Sequence, residues 1–160
     1  MTEVPKLVIR RPNPVHFAQE TATVADLFID SRAKTLPKVK RVHSNDEIHA
    51  WMREVVFPRR SIRIAQLGDE IVGFAARDGA WLEHLYLKPG WTGKGIGREL
   101  LEVIVAEARM VTPILWLYTF QCNTGARRFY ERNGFTAVEF GDGTTNEENE
   151  PDVRYEKAIR

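Results

Sequence analysis

The order of apolar, glycine-bearing and amphipathic segments predicts an α/β sandwich built on a mixed sheet. Three observations carry that expectation. Alternating runs at 61–67, 70–77 and 81–87 read as neighbouring strands, joined by Gly68-Asp69 and Asp78-Gly79, pairs suited to hairpin turns. The third run leads through Lys88-Pro89-Gly90-Trp91-Thr92-Gly93-Lys94-Gly95-Ile96-Gly97-Arg98 directly into an amphipathic helix. Beyond it, strand and helix periods keep alternating to residue 159.

Taken in order, residues 7–11 form a short strand ended by Pro12 and Pro14. From Val15 a helix places Phe17, Val24, Leu27 and Phe28 on its buried side. Residues 32–43 hold Arg32, Lys34, Lys38, Lys40 and Arg41 without an acid, which reads either as a solvated loop or as a basic rim for phosphates or an acidic acceptor. Ser44 and Glu47 form a capping box for a second helix, with Ile48, Trp51, Met52 and Val55 inward. Strict alternation over 81–87 puts Trp81, Glu83, Leu85 and Leu87 on one face and Leu82, His84 and Tyr86 on the other. The helix after the glycines carries Ile96, Leu100, Leu101, Ile104, Val105 and Ala108 as one apolar stripe. Residues 113–119 read as a strand, 123–133 as a helix stopped by Gly134, 135–140 as a strand, and 153–159 as the strand that closes the sheet.

At 160 residues the chain suits a single domain, 1–160, with one sizeable core. A formal net charge of +1 argues against nucleic acid as a partner, because that role calls for a strongly basic face. Cys122, the single cysteine, cannot form an internal disulfide, which fits a reducing, cytoplasmic setting. No stretch reaches the ~20 apolar residues of a membrane span. The histidines His16, His43, His49 and His84 lack metal-ligand spacing, so no metal is expected.

Gly93, Gly95 and Gly97 stand at alternate positions ahead of a helix with no Asp, Asn or Ser at its start. Backbone N–H groups there can approach a bulky anion that any Cβ would hold away, and the helix dipole favours negative charge. Lys94 and Arg98 add charge, and Thr92 is the nearest capping hydroxyl. Neither a P-loop nor a dinucleotide fingerprint matches this spacing.

The segment resembles the acyl-CoA-binding motif of the GNAT acetyltransferase superfamily: Arg or Gln, two residues, Gly, one residue, then Gly or Ala. Gly95 and Gly97 match it, while Thr92 replaces the leading Arg or Gln. About thirty residues on, Asn123, Ala126, Phe129, Tyr130, Glu131, Gly134 and Phe135 match the family's Asn-x-x-Ala-x-x-Phe-Tyr-Glu-x-x-Gly-Phe run. The resemblance implies a three-layer α/β/α sandwich with a mixed, mostly antiparallel central sheet, two parallel strands splaying at the acyl-CoA site. It also implies an N-acetyltransferase that moves acetyl from acetyl-CoA to an amine by direct attack in a ternary complex.

On that reading CoA lies along Leu85, Tyr86, Leu87, Thr92, Gly93, Lys94, Gly95, Ile96, Gly97 and Arg98, with Asn123, Phe129 and Tyr130 on its far side. Residues 116–119 form the opposite lip, and Trp116 faces the acceptor. Tyr130 occupies the position of the acid that protonates the leaving thiolate, and Glu83 or His84 is the candidate base. Tyr130 also fits a buried structural face, and Asn123 also fits a helix cap. Residues 141–152 hold five acids and no base, a solvated turn or, through Glu147, Glu148 and Asp152, an attraction for a cationic amine. A non-catalytic acyl-CoA sensor, an O-acyl or longer-acyl transferase, and a second copy of the chain as partner stay open.

Overall fold

A computed structural model describes residues 3–160. Seven strands form one sheet in the order β1-β2-β3-β4-β5-β7-β6. Strands β1 (Leu7–Arg10), β2 (Ser61–Leu67), β3 (Glu70–Asp78) and β4 (Trp81–Leu87) are antiparallel neighbours. β4 is parallel to β5 (Ile114–Phe120), and β7 (Asp152–Ala158) lies antiparallel between β5 and β6 (Thr136–Gly141). The last strand is therefore inserted, and β6 forms the edge that 153–159 was expected to supply. Val153 and Tyr155, both fully buried, suit β7 to an inner slot, whereas most of β6 is exposed.

Helices cover both faces, giving three layers. On one side α1 (Phe17–Thr35) and α2 (Asn45–Trp51) bring Val24, Leu27, Phe28 and Ile48 onto Ile62, Ile64 and Phe74. On the other, α4 (Ile96–Ala108) and α5 (Thr124–Arg132) pack Leu100, Leu101, Ile104 and Tyr130 onto Leu115, Leu117 and Tyr155. Arg63 of β2 grips Glu107 of α4 through two guanidinium nitrogens, Nε at 2.6 Å, and straps that helix to the sheet.

The Ser44–Glu47 capping box forms, each side chain accepting the other's backbone N–H at 3.2 Å. Past Trp51 the helix widens into a π turn, Met52–Val56, before one closing turn, α3 (Phe57–Arg59). The wider turn rotates the following residues, so Val56 and not Val55 takes the buried position.

Two irregularities in β4 shape the cleft beside it. Ala76 stands opposite His84 and Arg77 opposite Leu82, which leaves Glu83 as an extra, bulged residue. The bulge moves Leu82 to the face of Leu85 against α4, while His84 and Tyr86 pack against Phe28 of α1; strict alternation would group Leu82 with His84. Secondly, β4 and β5 meet at one register alone, Trp81 opposite Trp116, where the Trp116 N–H donates to Ala80 O at 2.8 Å. Beyond that contact the two strands separate, and their edges face each other unpaired.

Candidate active site

The glycine stretch forms an open cradle at one end of the cleft. Gly95 is the N-cap of α4, at φ +82° and without a side-chain cap; Gly93 sits at φ +75°. A Cβ on either would project into open space, so backbone conformation and room for a guest, not crowding, are what glycine supplies there. Glu99 is the first residue of α4 to donate back, to Gly95 O at 3.1 Å, leaving the amides of Ile96, Gly97 and Arg98 without helical acceptors. Gly97 answers a different need. It is buried, and an added Cβ would lie 3.4 Å from the Phe129 ring, so its small size lets α4 seat against α5.

The charges near the cradle are partly engaged. Lys94 Nζ lies 5.7 Å from the centre of the Trp91 ring, and Arg98 reaches along its own helix to Glu102 at 3.1 Å. Thr92 is exposed and supplies no cap to α4.

Leu85 and Leu87 line one lip of the cleft, and α5 closes the far side. Asn123 caps α5, its Oδ1 accepting the Ala126 N–H at 3.1 Å. Tyr130 is buried among Phe129, Phe135 and Tyr155, with ring centres 5.2, 5.5 and 6.3 Å away. Burial pushes its phenol well above the usual tyrosine value, and the nearby Tyr86 adds to the effect, so Tyr130 keeps its proton across the physiological range.

On the α1 side of β4 lies a cavity of about 910 Å³, walled by α1, residues 36–43, α2 and Glu147 and Glu148 of the 142–151 turn. At its floor the rings of Phe28, Trp51 and His84 stand 5.2 to 5.7 Å apart, mostly edge to face. His84 Nδ1 is buried with no hydrogen-bond partner. Burial, with the positive charges of Arg32 and Arg60 secondary, holds His84 down to about 4, so the ring is neutral at pH 7.

Arg32 is the hub of this wall. Its guanidinium stacks 5.4 Å from the Phe28 ring and 5.6 Å from Phe120, and donates to Glu148 at 3.4 Å. His43 is held between Glu47 at 3.2 Å and Glu147 at 2.9 Å, and both carboxylates raise its pKa. The basic stretch 32–43 is thus neither a plain solvated loop nor a rim for the cradle: α1 absorbs Arg32 and Lys34, and Arg32, Lys40, Arg41 and His43 border the cavity.

Of the residues predicted as base or on the acceptor side, the fold brings His84, Glu147 and Glu148 to this cavity and leaves Glu83, Trp116 and Asp152 elsewhere. Glu83, on the bulge, is bound by Arg60 at 2.7 Å. Trp116 packs tilted against Trp81, ring centres 5.2 Å apart, and donates through Nε1 to Glu156 at 3.2 Å, outside the cavity. Asp152 opens β7 and accepts from Asn146 at 3.2 Å. Sequence reasoning assigns Phe28, Trp51 and Ile48 to the core without showing that they also face a cavity. The signal available is Val39 and Val42, apolar residues set among lysines and arginines.

With this geometry in place, known proteins supply the comparison. The model of the acetyltransferase (GNAT) family matches residues 24–135. The chain belongs to this family. It is 38% identical over 85 residues to an uncharacterised N-acetyltransferase of Mycobacterium tuberculosis, covering 49% of this chain and 54% of that protein. It is 31% identical over 122 residues to the spore coat polysaccharide biosynthesis protein SpsD of Bacillus subtilis, covering 70% of this chain and 41% of SpsD. The chain thus spans about half the length of the curated relatives it matches, or less.

Among solved structures, the PaiA N-acetyltransferase of Thermoplasma acidophilum, in complex with coenzyme A, superposes with a TM-score of 0.72 at 21% identity, covering 96% of this chain and 99% of that one. YncA of Salmonella typhimurium, with its cofactor acetyl-CoA, gives 0.71 at 17%, covering 97% and 95%. At these identities the likeness is one of fold. Among the described residues no helix is long and apolar enough to cross a membrane, and no metal-ligating cluster is gathered.

Proposed function

We propose that this GNAT protein transfers acetyl from acetyl-CoA to a primary amine by direct attack in a ternary complex. The observation that carries the reading is the splayed β4–β5 pair, set between an uncapped helix N-terminus and a cavity floored by a neutral histidine. The free amides at 96–98 and the open φ > 0 turn at Gly93 and Gly95 suit a diphosphate. The unpaired edges of Leu85–Leu87 and of the β5 lip suit an amide-bearing arm, held by strand-like hydrogen bonds. Two of the neighbouring folds were solved with CoA or acetyl-CoA, which supports the same co-substrate here.

In the transfer the amine nitrogen bonds to the acetyl carbonyl carbon while the carbon–sulfur bond breaks. Tyr130, still protonated, donates a hydrogen bond to the sulfur as it leaves and so stabilises the developing thiolate; the thiolate takes its final proton from water, and Tyr130 stays a phenol throughout. His84 suits a task other than that of general base. A lysine-like ammonium has a pKa near ~10.4, and moving its proton to an imidazole of about 4 is uphill by roughly 9 kcal/mol. His84 therefore accepts a hydrogen bond from the already neutral amine and fixes its approach, while the proton lost on attack leaves through water.

Tyr130→Phe tests the assignment. The expected result is a fall in kcat of about 10²-fold or more, with CoA affinity by calorimetry unchanged. Tight CoA binding with no thiol released across a broad amine panel would instead favour a sensor.

A further inference from the structure

We propose that the acceptor is an arylalkylamine, a primary amine carried on a bulky apolar body, and not a polycation such as a polyamine or an aminoglycoside. This rests on the acetyltransferase reading and names the substrate class for it.

Charge gives the first argument. The cavity wall carries three bases, Arg32, Lys40 and Arg41, against three acids, Glu47, Glu147 and Glu148, with His43 beside them. Those acids are already answered from within the wall. Glu148 takes Arg32, and Glu147 and Glu47 share His43. A polycation needs acids with no such partner, and here it would also meet Lys40 and Arg41 across the mouth, where like charges repel. The acidic turn looks attractive to cations in sequence because Arg32 and His43 lie more than a hundred residues away from it.

Surface chemistry gives the second. Between the charged groups the lining is Ile29, Leu36, Val39, Val42 and Ile48, above the Phe28–Trp51–His84 rings. Val42 is 40% exposed, an apolar side chain that the bare protein leaves in water and that an apolar guest would cover. At about 910 Å³ the space lies near the upper end of what takes drug-sized molecules, far more than a short alkylamine fills.

The third argument is the His84 ring, whose Nδ1 is buried without a partner. That nitrogen is shut away from the cavity, so what His84 offers a guest at the floor, beside the β4 edge, is its uncharged ring and its other nitrogen. A neutral amine hydrogen-bonds to the nitrogen that is left open. The apolar body then fills the space above, against Trp51 and Ile48.

The test uses the full chain with acetyl-CoA, following released thiol with tryptamine, phenethylamine, spermidine and kanamycin. Tryptamine or phenethylamine should exceed both polycations at least tenfold in kcat/KM. Equal or better turnover of spermidine or kanamycin overturns the proposal and leaves the acetyltransferase reading intact. Ala33→Asp and Val42→Asp place a carboxylate on the wall at exposed positions, so folding should be kept, which a thermal melt checks. Each should raise the KM for tryptamine tenfold or more with CoA affinity unchanged; an unchanged KM in both counts against the apolar site. Failure of CoA itself to bind, or CoA binding with no amine turned over, defeats the acetyltransferase reading instead. In that case equilibrium binding of tryptamine against spermidine, followed by NMR, still decides the class of guest.

Discussion

At the cradle end of the β4–β5 cleft the site comes from one continuous stretch, residues 92–98, whose working parts are backbone amides. At the cavity end it is assembled from α1, the 36–43 segment, α2, β4 and the 142–151 turn, and its working parts are side chains. On the proposed function, backbone recognition there would read the shape common to CoA thioesters, with Thr92 standing where the family motif has Arg or Gln. Side-chain recognition is free to differ from one family member to the next. The contrast explains why the proposed co-substrate follows from residues while the proposed acceptor class is argued from the folded molecule.

Mutations can break each end separately. The largest expected effect is on the cradle's support: Arg63→Ala removes the two-pronged grip on Glu107, leaving that carboxylate partly buried beside an emptied site. A loss of about 2–3 kcal/mol in urea unfolding is expected, below the full cost of breaking a buried pair because Glu107 is 30% exposed. Arg32→Ala at the cavity would serve as the contrasting case. Next, Gly95→Val forces a β-branched residue to φ +82° and puts a Cβ into the cradle. CoA affinity should fall tenfold or more by calorimetry, with the cavity's preference among amines unaltered. Retained affinity would mean that the amides do not hold the diphosphate.

The smallest effect is at the cavity rim, where His43 links α2 to the 142–151 turn. Its pKa is raised in the folded state by Glu147 and Glu47, so the link is complete below the ordinary histidine pKa of about 6.5 and is lost as pH climbs through the raised value. Backbone NMR shifts around residues 40–43 and 145–148 should titrate together, at a pH above the ordinary histidine value, and His43→Ala should abolish that step. Because the contact is exposed, global stability should barely change.

Most of the fold was legible in the chain, and the misreadings share one cause. The strands 61–67 and 81–87, the Ser44 capping box and the Gly134 stop all rest on neighbours in sequence, where period and turn chemistry act directly. The bulge at Glu83 and the π turn at 52–56 each insert one residue into a regular period. No local pattern announces such an insertion, since its benefit comes from packing against other elements. That single step moved Leu82 to the opposite face and exchanged Val55 for Val56. The slot of β7 between β5 and β6 likewise depends on which partner buries Val153 and Tyr155.

By itself, the sequence determined the helix and strand periods, the glycine turn and the uncapped start of α4, because each depends on torsion angles and hydrogen bonds within a few residues. Only the tertiary structure decided that Glu147 would meet His43, that Arg32 would lie between Phe28 and Phe120, and that His84 would be desolvated enough to stay neutral while Glu83 stayed outside with Arg60. Those outcomes are set by desolvation and by charges brought within a few ångströms across long stretches of chain, and neither exists until the sheet and its two helical layers have closed.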